Sequence, residues 1–254
     1  MARRTTEKRS GDPAGEGTPD QASMTIVEHL SELRDRIFLS LIAVAAGAVI
    51  CFALFEIIIE FMIGPYEEAT GNEGLIFTQP LEGFITRLKV GAYGGLMLAS
   101  PVVFWHLWRF ITPGLYPKEK RYAVPFVVCS VVLFISGSVL AVVTFPKALD
   151  FLLGIGGENL EPLLTANGYL SLMFLMVVSF GIAFEFPIVV MFLLLARVLT
   201  TTQLRKWRRY TFLIIVIVAA VITPSQDPVT LFALSLPMYL LYEASILIGR
   251  LMRR

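Results

Sequence analysis

YLSLMFLMVVSFGIAFEFPIVVMFLLL, from Tyr169 to Leu195, carries one acidic side chain, Glu185, and no Lys, Arg or His. At 1.5 Å per residue it is long enough to cross a hydrocarbon core of about 30 Å. Five further apolar segments lie around it: about Ile37 to Ile59, Val90 to Phe110, Tyr122 to Phe145, Tyr210 to Thr223 and Val229 to Gly249. The whole chain is 56% hydrophobic and only 16% charged, so the bilayer is its solvent. The reading is an all-α polytopic membrane protein with six transmembrane helices. Its 254 residues leave little room for a separate soluble domain. The expected organisation is a disordered tail over residues 1–23 and one transmembrane domain over 24–254.

The ends of the segments fix the orientation. All but Arg87, Lys89 and Lys147 of the 21 Lys and Arg fall in the N-terminal region, the second and fourth connections, or the C-terminus. By the positive-inside rule both termini are expected in the cytoplasm, consistent with an even number of spans. A formal net charge of +1 gives no bulk attraction for nucleic acid. Met24 to Arg36 reads as an amphipathic helix able to lie on the membrane surface, with Ile26, Leu30, Leu33 and Ile37 on one face. Between Glu60 and Lys89, Gly64, Pro65, Gly71, Gly74 and Pro80 predict an external turn, followed by a short interfacial helix. Prolines 101, 125, 187 and 237 in or beside the spans favour a kinked, cupped bundle. The fifth span reaches only about 21 Å, and the bilayer is expected to thin there.

Enzymatic readings find little support. His29 and His106, the only histidines, form neither a bis-histidine haem pattern nor an HExxH zinc motif, and no GxSxG elbow or Walker motif is present. Cys51 and Cys129 sit inside apolar runs. No cofactor, metal or disulfide is assigned.

Several stretches form an ordered set: HLSELRDR (29–36), QPLEGF (79–84), SPVVFWHLWRFITPGLYPKEKR (100–121), FEFP (184–187), TPSQDP (223–228) and LPMYLLYE (236–243). From about residue 24 onward the chain resembles TatC, the signal-peptide receptor of the twin-arginine protein translocase. The resemblance implies a bacterial cytoplasmic (inner) membrane protein that binds twin-arginine signal peptides and nucleates transport of folded cargo, driven by the proton-motive force. It further implies single-span partners resembling TatA and TatB, and self-association within a larger complex.

It also implies a site. Glu32 and Glu119 match the glutamates that receive the peptide's paired arginines, and a guanidinium fork suits a carboxylate as lysine does not. On residue grounds alone Glu32 has another reading, an exposed pair with Arg36 worth about 0.2–0.5 kcal/mol, and Glu119 is equally a solvated loop charge. Arg34 and Arg121 belong to the same motifs. Phe110, Leu115 and Tyr116 flank the loop, to pack on the peptide or to anchor in the interface. Glu185, deep in its span, is expected to face a polar concavity, the alternative being a neutral glutamate bonded to backbone near Pro187. Glu243 has a similar but weaker claim. Pro65, Glu82 and Asp227 belong to external motifs, where Glu82 and Asp227 shape loops or cap helices. The competing class is a proton- or ion-coupled small-solute transporter with Glu185 and Glu243 as its relay.

Overall fold

A computed structural model describes residues 26–70, 75–111, 123–155, 164–225 and 227–251. Over these the chain forms eight helices: α1 (Ile26–Ala53), α2 (Phe55–Thr70), α3 (Glu82–Ile111), α4 (Ala123–Ile155), α5 (Ala166–Ala183), α6 (Phe186–Leu195), α7 (Thr201–Ile222) and α8 (Pro228–Leu251). The only β pairing among the described residues is a bridge between Ile76 and Thr165. The tail over residues 1–23, with Leu115, Tyr116, Glu119 and Arg121, lies outside the described residues.

Apolar runs become helices here because a chain in lipid must satisfy its backbone internally. α1, α3, α4, α5 with α6, and α8 are long and apolar enough to cross a bilayer. The core lies among α4, α5 and α8, where Phe145, Leu170, Met173, Met176, Phe180, Leu234 and Tyr242 are almost fully buried. Outward-facing residues such as Ile42, Val49, Val132, Val139 and Leu240 are equally apolar and exposed, as expected of a surface that meets lipid.

Without a hydrophobic drive between helices in lipid, close packing depends on small residues. α1 and α3 meet at Gly47 and Gly95, where a Cβ on Gly95 would lie 2.3 Å from Ala48 N. α4 and α5 meet at Gly137, where a Cβ would lie 2.5 Å from Phe180 O.

Five expectations are corrected. The amphipathic segment through Arg36 is no separate surface helix; it continues into the first span as α1, since nothing between Arg36 and Ile37 breaks the helix. That span stops at Ala53 rather than Ile59, where Arg87 Nε donates to Phe52 O at 3.4 Å and its guanidinium stacks over Phe52 and Phe55. Gly64 and Pro65 lie inside α2 rather than in a turn, and the interfacial helix is the first turns of α3. The Arg-rich fourth connection is the beginning of α7, opened by a capping box between Thr200 and Gln203. Finally, the span containing Glu185 is two helices: Pro187 at the start of α6 has no N–H to continue α5, and Glu185 sits in the break.

Candidate functional site

At the end of the molecule that carries Arg34, Arg36 and Arg109, α1 and α3 lie side by side. Their glycine crossing brings the first turns of α1 against the last turns of α3. His29 stacks on Phe110, with ring centroids 4.2 Å apart and planes within 12°. One turn further, Arg36 donates to Glu32 Oε1 through Nε at 3.2 Å and Nη2 at 2.6 Å. Glu32 Oε2 is buried and without a hydrogen-bond partner among the described residues. Arg34 turns the other way and pairs with Asp35 at 2.9 Å in an exposed position. Beside Glu32 an apolar groove of about 330 Å³ runs between the helices, walled by Leu33, Ile37, Leu41, Val103, Leu107 and Phe110, with Arg36 and His106 at its polar edge. The structure thus brings Glu32 and Phe110 to one place and leaves Arg34 apart. His29, His106 and Arg36 join them; His29 and Arg36 stand in the same sequence motif as Glu32, which was the signal available for them.

Glu185 occupies the α5–α6 break, next to the hydroxyl of Ser130 on α4. Ser130 is fully buried and accepts from Trp108 Nε1 at 3.1 Å. Glu185 Oε1 is buried and unpartnered among the described residues, so a polar group deep in an apolar layer retains unused bonding capacity. Neither Ser130 as its neighbour nor the bond from Trp108 to Ser130 was legible. Glu243 differs in kind: Arg208 on α7 pairs with it at 2.5 Å and Tyr239 donates to it at 3.2 Å. That gives Glu243 a local counter-ion, and no described contact joins it to Glu185.

The opposite end is held by carboxylates used as caps. Glu82, 6% exposed, accepts from Thr78 N at 2.7 Å, Thr78 Oγ1 at 3.0 Å, Gln79 N at 3.4 Å and Asn167 N at 3.0 Å, tying the start of α3 to the start of α5. Lys89 reinforces the tie by donating to Asn167 Oδ1 and Ser171 Oγ. Asp227 precedes α8 and accepts from Ser225 Oγ, Thr230 N and Thr230 Oγ1. Burial pushes the Asp227 carboxyl up, but these bonds outweigh it and hold the group below its ordinary value. Pro65 removes one helix bond near the end of α2, beside Tyr66, and Tyr169 donates to Met62 O at 2.7 Å across to α5. Among the described residues no cluster of His, Cys, Asp and Glu is placed to hold a metal ion.

Long apolar helices around a buried core, with charged groups concentrated at helix ends and in one helix break, define a multi-helix integral membrane protein. The family model described as Sec-independent protein translocase protein (TatC) matches residues 28–237, and the chain belongs to that family. A TatC from Frankia casuarinae is 41% identical over 244 residues, covering 91% of this chain and 67% of that one. A TatC from Aquifex aeolicus is 38% identical over 234 residues, covering 91% and 97%. A crystal structure of the twin-arginine translocase receptor TatC in DDM matches with a TM-score of 0.73 and 38% identity, over 87% of this chain and 99% of that one.

Proposed function

We propose that this chain is the receptor and core subunit of a twin-arginine translocase, binding twin-arginine signal peptides through Glu32 and Glu119 and nucleating transport of folded proteins. The observation that carries the reading is the Glu32 carboxylate: largely shielded, with one oxygen unpartnered among the described residues, and bonded to Arg36, which lines an apolar groove. A signal peptide offers the matching pair, arginines followed by an apolar stretch. The chain works as a binding and transport component, not an enzyme. The paired state of Glu243 speaks against a Glu185–Glu243 relay and so against the transporter reading.

In this proposal α7 supplies a sixth span. Its basic first turns lie at the interface and its apolar remainder crosses a thinned bilayer, leaving both termini in the cytoplasm of a bacterial inner membrane. The Lys and Arg distribution supports that orientation. Single-span proteins resembling TatA and TatB are the partners, and exposed apolar residues of α7 such as Leu213, Ile217 and Val221 are available to them.

The test is equilibrium binding of twin-arginine and twin-lysine peptides to purified receptor. Glu32→Ala and Glu119→Ala should each weaken arginine-peptide binding by about 2–5 kcal/mol if the contact is desolvated. Normal affinity and normal arginine preference in both variants would place recognition elsewhere.

A further inference from the structure

The Glu32 carboxylate already holds an arginine. A guanidinium commonly meets a carboxylate fork to fork, two N–H groups on two oxygens. Here Arg36 Nε and Nη2 converge on Oε1 alone, and Oε2 is left buried and unpartnered among the described residues. Both side chains are largely shielded, 20% exposed for Glu32 and 18% for Arg36, so a lone carboxylate at this place is costly. Arg36 therefore keeps Glu32 paired while no ligand is present. It is also the group with which a ligand's arginine must contend.

We infer that Arg36 is an internal competitor that sets the preference for arginine over lysine at Glu32, holding Oε1, presenting Oε2, and yielding only to a cation able to make the same fork. The inference rests on the reading of Glu32 as part of the receptor site. A lysine ammonium is compact and strongly hydrated; at Oε2 it makes one contact while standing beside the Arg36 charge, which offsets its attraction. An arginine is planar and more weakly hydrated, bonds Oε2 first, and takes Oε1 as Arg36 swings away. The polar edge of the groove, at His106, gives Arg36 somewhere to go. His106 lines the same groove, and its Nδ1 is buried and unpartnered among the described residues, an acceptor in the tautomer that leaves it unprotonated. Arg34 does not play this part, because Asp35 holds it in an exposed position.

The experiment measures binding of fluorescent twin-arginine and twin-lysine peptides to the full-length purified receptor, unmutated and as Arg36→Gln, Arg36→Lys and Glu32→Gln. Arg36→Gln should bind the lysine peptide about tenfold more tightly than the unmutated receptor does, with arginine-peptide affinity kept or improved, so that selectivity shrinks. Arg36→Lys, which keeps the charge and loses the fork, should fall between the two. If Arg36→Gln weakens both peptides by one common factor, Arg36 merely supports Glu32 and the inference is overturned. Should Arg36→Gln fail to fold, an unchanged selectivity in Arg36→Lys overturns it as well. Glu32→Gln separates the two levels: if that variant binds both peptides normally, the receptor reading of Glu32 fails, whatever Arg36 does.

Discussion

Replacing Gly137 by alanine tests the helix contact that seats Glu185. The new methyl would stand 2.5 Å from Phe180 O and 2.9 Å from Phe180 C, both main-chain atoms that have no rotamer to change. α4 and α5 must separate by roughly 1 Å to restore contact distance, and overpacking of this kind costs about 1–3 kcal/mol. The same movement stretches the bond from Ser138 Oγ to Val177 O, already 3.3 Å, past useful length at a further cost of about 0.5–1.5 kcal/mol. The expected loss is thus about 1.5–4.5 kcal/mol, read as a lower thermal midpoint of the purified protein in detergent. Gly154→Ala is the control. Nothing among the described residues lies within 4 Å of a Cβ there, and the separated helices in lipid are helical already, so its change should stay within about 0.5 kcal/mol. Equal midpoints for the two variants would refute the argument that main-chain approach at Gly137 holds α4 against α5.

Glu185→Gln should retain membrane insertion and peptide binding and lose transport, because Oε1 is polar capacity that no described residue uses; normal transport by Glu185→Leu would count against this. Removing Arg208 and Glu243 singly and together should give a coupling of at most about 1 kcal/mol in a stability cycle, since both side chains remain partly exposed; a coupling of zero would mean the pair is incidental. The Asp227 cap stabilises through a carboxyl whose folded value lies below its unfolded value of about 3.9. Its contribution is complete above that unfolded value and disappears as pH falls through the folded one. Thermal midpoints between about pH 6 and pH 3 should therefore drop less steeply in Asp227→Asn than in the unmutated protein, and parallel curves would contradict the assignment.

The long spans were legible because apolar length in lipid permits little else. Glu185 was legible for the same reason: one acid in such a run is conspicuous wherever its helix bends. The break beside it had a local signal in Pro187. The interruption at Leu54 had none; beside it Arg87, distant in sequence, bonds Phe52 O. Pro65 misled in the opposite direction, because a proline that ends helices in water is carried within one here. Thr200 and Gln203 spell a capping box that places the basic segment inside α7, a signal present and not used. At the end that carries Arg36 and Arg109, Glu32 followed from its motif, whereas the stack of His29 on Phe110 depended on how α1 crosses α3.

That crossing places matching lengths of α1 and α3 beyond one close main-chain contact. Glu32 precedes Gly47 by as many residues as Phe110 follows Gly95, so the two lengths are equal, each about 22 Å. A turn of about 10° at that contact would displace a tip by about 4 Å, comparable with the 4.2 Å between the stacked rings of His29 and Phe110. A peptide seated there as proposed would have to part that stack, whose rings lie far from the glycine contact. The far end of α1, about 9 Å beyond that contact at Ala53, would move the other way by less than half as much, towards the joint where Arg87 bonds Phe52 O.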